Sequence, residues 1–445
     1  MKQLTRRIVT TCCISILGAA SLGCEALRGG AQPEHPTWFE RPSQSLHVTY
    51  RTSLAAQSRR RGEAYERGRV EVDPIQRRLF VGSSDRGLYC VDARDGSPLW
   101  RFEAAGRVQS APLYDANEQS VYFGSDDGAL YKLDATNGDL RYRFATNAEI
   151  SERPVLVGDR LYLVNANDSL LSLDAKTGKM LWHQHRAPVP GMQIGGHAGL
   201  LVASNRVYAG FSDGVVIAYD AISGVERWPP VDLAAEGESV HVGSNEHFDV
   251  DTTPVADTID GNPVLYVASA EAGLFALDAE GGTQIWQNDA VVGATQLLLW
   301  SEPQRRQSSN PAPADEGQPP VARTRKLLIV ATGTSGLWAI EPNDGSVVWR
   351  SRLPDGGVQG PVPFAGALLV SASQLGLYLV SPLNGRVIDG MHIVEGVSAL
   401  PTAYGTHAFV MTNTGDLLAL HAAPPREPPD RGVLLLDRPY ERSHW

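Results

Sequence analysis

Cysteine is scarce in this chain. There are four, and two of them, Cys12 and Cys13, fall within the first 23 residues. Only Cys24 and Cys90 lie beyond, so no disulfide framework organises the fold. No C-x-x-C-H haem-attachment sequence is present. Long apolar runs are also missing: Ile8 to Leu22 is short and broken by Thr and Ser, too polar for a good membrane span. Basic residues are outnumbered, giving a formal charge of −11. With no basic patch interleaved with aromatics, a nucleic-acid partner is excluded. The 11 histidines lack metal-ligand spacing. His183 and His185 share a face near a strand end, but no third ligand is close in sequence. The Ser-Asp-Gly turns near Asp126 and Asp213 lack the dense acids of a calcium loop. Gly333 to Gly336 has no helix after it to make a phosphate site. No catalytic residue, metal or cofactor is assigned.

The N-terminus carries a targeting signal. Lys2, Arg6 and Arg7 precede the apolar run, small residues follow, and Cys24 comes next. Residues 1–23 are read as a signal peptide, with an uncleaved anchor as the alternative. Ser21-Leu22-Gly23-Cys24 resembles a bacterial lipobox, which makes Cys24 the expected lipidation site. Removing 1–23 takes away three cations and no acid, leaving −14. Residues 24–44 are then a lipidated tether. Cys90 has no partner left and is expected to pack as a small hydrophobe.

What the sequence has in abundance is a repeat. Leu79 to Trp100 reads LFVGSSDRGLYCVDARDGSPLW, and Val121 to Tyr142 reads VYFGSDDGALYKLDATNGDLRY. Six further copies follow the same plan. The position of Asp92 recurs at 134, 174, 220, 278, 341, 381 and 421, mostly 40 to 46 residues apart, with two longer steps of 58 and 63. That period matches one four-stranded propeller blade. The Asp accepts local backbone N–H bonds in a tight turn, and the Gly four residues on supplies φ > 0. Trp100, Trp182, Trp228, Trp286 and Trp349 are expected to dock blade on blade. Tyr50, Tyr142 and Ile388 are placed at equivalent positions. The last copy stops without its aromatic strand, and Leu46 to Leu54 at the other end of the chain can supply one. The fold is therefore expected to be all-β: an eight-bladed β-propeller of four-stranded antiparallel blades over 45–423, closed by the N-terminal strand and monomeric. Residues 301–325 read as a surface loop and 424–445 as a Pro-rich tail.

The repeat A-L-D-A-x-x-G-x-x-x-W resembles that of quinoprotein (PQQ) propellers, shared by PQQ-dependent dehydrogenases and by BamB, a lipoprotein family of outer-membrane β-barrel assembly. The likeness covers roughly residues 45–421. Asp249-Val250-Asp251-Thr252-Thr253-Pro254 is similar to a BamB stretch whose two aspartates help bind BamA through its periplasmic POTRA region. The resemblance thus implies partner-binding roles for Asp249 and Asp251, and for Met192 and Ile194 in the loop before the fourth repeat. Gly195 stands where that family has an Arg. The resemblance implies a non-catalytic scaffold lipid-anchored at the periplasmic face of the outer membrane, with BamA and other assembly components as partners. The alternatives are an exported propeller with a different envelope partner, and a PQQ enzyme. Against the enzyme, the adjacent cysteines such enzymes usually set against the quinone occur here only in the leader.

Overall fold

The computed structural model describes residues 43–54, 66–188, 198–233, 249–302, 325–333, 335–353 and 358–423. The leader, Cys24, the tether up to residue 42, Met192, Ile194, Gly195, most of the 301–325 insertion and the C-terminal tail lie outside the described residues. Those described form eight four-stranded antiparallel sheets. Seven are continuous in sequence. The eighth combines Thr402–Tyr404, His407–Met411 and Asp416–Ala422 with Leu46–Ser53 from the start of the chain. The closure expected from the sequence is therefore present.

Burial follows strand position. The second and third strands of each blade are covered on both faces by neighbouring blades. They accordingly read as continuous apolar runs, as in Arg78–Gly82 and Gly87–Asp92. The outer strands alternate, as in Pro98–Glu103 and Met180–His185. Cys90 is fully buried between the first and second blades, against Phe123 and Leu133 among others. Burial pushes its thiol up to about 12, so it stays protonated and packs as an apolar group.

Most joints between blades use one lock. A one-residue bulge precedes the aromatic side chain of the outer strand: Cys90 faces Trp100, while Val91 already faces Pro98. The skipped residue, Leu99, is left half exposed, and Trp100 turns into the slot. There its indole lies over Gly138, and Nε1 donates to Ala135 O at 3.2 Å. Trp182, Trp286 and Trp349 repeat the arrangement, donating to Ala221, Pro342 and Pro382 O. Tyr50 and Tyr142 use their hydroxyls on Ala93 and Ala175 O. Trp228 docks on Gly282, but its Nε1 has no hydrogen-bond partner; Tyr208 OH takes the Ala279 carbonyl at 3.0 Å.

The seventh joint corrects the sequence reading. Ile388 is not at the aromatic position. Leu379 faces Asp389 and Val380 faces Val387, so Ile388 is the bulged residue and Asp389 occupies the slot. Its carboxylate accepts from Ser43 Oγ and Ser45 N, both at 2.7 Å. A carboxylate suits this place because the incoming chain start presents donors where other blades present a glycine turn.

Gly138 shows why the turn needs glycine. Its φ is +79°, and a Cβ there would lie 2.7 Å from Trp100 Cε3. Gly138→Ala should therefore cost about 1–3 kcal/mol, from the strained φ and the displaced indole together. Urea denaturation would read this as a lower midpoint with an unchanged slope.

Candidate functional site

Strand order gives the ring two unlike faces. One carries the turns between second and third strands and the connectors from blade to blade. The other carries the remaining turns, and the chain enters on it at Ser43. Asp249 and Asp251 lie in a connector, on the face opposite that entrance. The connectors share a backbone plan. Val108, Ile150, Val250 and Val397 are buried, and their N–H groups donate to Ser83, Ser125, Phe211 and Ala372 O at 3.0 to 3.2 Å. The preceding carbonyls, of Arg107, Glu149, Asp249 and Gly396, accept from the next blade at 2.8 to 3.1 Å. Two residues after the apolar anchor, Ser110 Oγ bonds to Gly124 N and O, and Thr252 Oγ1 accepts from Ala268 N at 3.2 Å. Val250, Thr252 and the Asp249 backbone are thus explained by blade assembly.

The two carboxyl groups are not. In the second blade the position of Asp249 is Arg107, whose guanidinium pairs with Asp126 at 2.7 Å. In the fifth blade Ala270 replaces that acid, and Asp249 brings a negative charge with no cation beside it among the described residues. Asp249 is 4% exposed, and its Oδ1 is buried with no hydrogen-bond partner. Burial first, then the charge of Asp249 and a hydrogen bond to it, push the Asp251 carboxyl up to about 7. Two adjacent acids held this way are costly unless a cation arrives. The arrangement is suited to accept a guanidinium or ammonium group from outside.

Met192 and Ile194 cannot be placed against this pair, since they lie outside the described residues. The docking tryptophans stand at five separate joints, structural in each case. The sequence reading missed the tyrosines of the second strands. Tyr122, Tyr162, Tyr208 and Tyr266 donate to Ala175, Ala221, Ala279 and Pro342 O at 2.9 to 3.2 Å, in three cases the same carbonyl the outer-strand aromatic uses. The signal was available as the recurrent apolar-Tyr pair in VYF, LYL, VYA and LYV. Among the described residues, no group of three or more His, Cys, Asp or Glu is arranged to hold a metal ion. Cys90 is the one free cysteine described, so no vicinal pair is available in the ring to back a quinone.

Comparison with known proteins agrees with the fold. The crystal structure of BamB from Moraxella catarrhalis superposes with a TM-score of 0.65 at 17% identity, covering 84% of this chain and 99% of that one; at that identity it speaks for the fold alone. Among curated sequences, the outer membrane protein assembly factor BamB of Legionella pneumophila (strain Paris) is 23% identical over 229 residues, 51% of each chain. A polyvinylalcohol dehydrogenase of a Pseudomonas species is 22% identical over 329 residues, 65% of this chain and 46% of that enzyme. The chain thus spans about half the length of these curated relatives. A family model described as outer membrane protein assembly factor BamB matches residues 57–119, 116–299 and 294–424. With nearly the whole ring covered by that model, the chain belongs to the outer membrane protein assembly factor BamB family.

Proposed function

We propose that the protein is a non-catalytic scaffold of the outer-membrane β-barrel assembly machinery, lipidated at Cys24 and binding BamA from the periplasmic side. The observation that carries this reading is the Asp249–Asp251 pair: Asp249 buried and Asp251 half-buried, short of a counter-ion among the described residues, and not required by the connector's backbone plan. Met192 and Ile194 are proposed as the apolar part of the same contact. The chain enters the ring on the face opposite the aspartates.

Capture from detergent-solubilised membranes tests it. The wild-type chain should recover BamA, and Asp249→Ala/Asp251→Ala should recover at least about tenfold less, the loss expected when a buried charge-assisted pair is removed. Equal recovery by both chains would refute the assigned contact. A second reading, an exported propeller serving another envelope partner, is favoured by Gly195, because the family's Arg is missing there. It predicts recovery of a different protein that still depends on Asp249 and Asp251.

A further inference from the structure

The last blade differs from the other seven in chemistry as well as connectivity. In the others a turn joins the third and fourth strands, and Asp92, Asp134, Asp174, Asp220, Asp278, Glu341 or Ser381 stands at its start. The last blade has no such turn, because its fourth strand comes from the beginning of the chain. At that position it has His421. Strand pairing sets Tyr404 opposite His407, His407 opposite His421, and His421 opposite His47. Direct cross-strand partners project to the same face of a sheet. One row across all four strands therefore reads Tyr-His-His-His.

The rings of His407 and His421 have centroids 5.0 Å apart, tilted by 48°. Nδ1 of His421 is buried without a hydrogen-bond partner. Thr406 Oγ1 lies 3.5 Å from Nδ1 of His407. His47 is exposed on the closing strand.

We propose that this row binds one divalent transition-metal ion of the zinc class, with His407 and His421 as the chelating pair and His47 as the third ligand. The spacing is the main argument. An ion about 2.1 Å from a ring nitrogen lies roughly 3.2 Å from that ring's centroid, so two rings on one tetrahedral ion have centroids about 5.2 Å apart. The observed separation is within a few tenths of an ångström of that value. Among the described residues no three-ligand group is ready-made, so His47, the exposed cross-strand partner of His421, has to change rotamer to complete the set. Water fills the remaining position. The ligands come from the first strand and the last two, so the ion would staple the seam that closes the ring. Among the described residues His183 and His185 also stack, but their ring centroids are farther apart at 6.3 Å, and Ser169 Oγ already lies 3.2 Å from His185 Nδ1.

Equilibrium dialysis of the full chain against Zn²⁺ at pH 7.5, paired with thermal melts, tests the proposal. One Zn²⁺ per chain should bind, and the melting temperature should rise with it. His421→Asn should weaken binding by more than about tenfold and abolish the rise. His47→Asn, at an exposed site that leaves the fold undisturbed, should weaken binding and reduce the rise. His183→Asn/His185→Asn should change neither. No binding by the wild type, full affinity in both His421→Asn and His47→Asn, or binding that disappears with His183 and His185 would each overturn it.

Discussion

A chain that begins at residue 55 should fail to yield a soluble monomer, whereas one that begins at Ser43 should melt cooperatively. The strand Leu46–Ser53 runs antiparallel along Asp416–Ala422, from Leu46 opposite Ala422 to Ser53 opposite Asp416. Leu46 is fully buried in the cluster shared by the first, seventh and eighth blades. Tyr50 packs on Gly96 and donates to Ala93 O at 3.2 Å. Arg51 pairs with Glu395 at 2.8 Å and with Asp416. Removing Leu46 and Tyr50 alone forfeits roughly 5–10 kcal/mol by the scale of large-to-small core changes. That is comparable to the whole stability of a typical domain, about 5–15 kcal/mol. The loss also uncovers the edge of Asp416–Ala422, an apolar strand with unpaired N–H and C=O groups, the kind that recruits other chains. Size-exclusion chromatography and thermal melts of the two chains decide the matter. Equal melting temperatures would mean that the closing strand contributes little, and that the ring is held by its other seven joints.

The ring was legible in the sequence because the same physical problem is solved eight times. A four-stranded blade cannot bury both its faces alone, so each copy repeats the buried strand pair, and most repeat the Asp turn and the docking aromatic. Recurrence makes each weak signal strong. The closing strand could be found because the last copy was visibly incomplete. Where the reading slipped, the cause was a feature one residue wide. The bulge between Leu379 and Val380 shifts the register, and no apolar pattern distinguishes Ile388 in the slot from Asp389 in it. The candidate site was legible in part. Asp249-Val250-Asp251 stood out as the connector with two acids, yet nothing in the sequence says that Val250 and Thr252 serve the backbone while the carboxyls are left over. That separation required the aligned hydrogen bonds of Val108, Ile150 and Val397. The histidine row was invisible for a simpler reason: His47 and His421 become neighbours only through the pairing that closes the ring.

Asp251→Asn should make the protein more stable at pH 8 and leave its stability almost unchanged at pH 4. In the unfolded chain an Asp titrates near 3.9, and in the fold Asp251 is pushed up to about 7 by burial and by Asp249. Between those values the folded state keeps a proton that the unfolded state has released. Protons therefore favour folding, and stability falls as pH rises from about 4 to about 7. Above that range the wild type holds an ionised carboxylate in a place that disfavours it. Asn removes the charge and can still donate toward Asp249. Discounted because Asp251 is partly open to solvent, the gain at pH 8 is on the order of 1–3 kcal/mol. Urea midpoints of the two chains at pH 4 and pH 8 would show it. A gain of the same size at both pH values, or a loss at pH 8, would contradict the raised carboxyl. If the gain appears together with weaker capture of BamA, Asp251 is a group whose cost to the fold is offset by its use in binding, as expected where a local rule of stability is broken at a functional site.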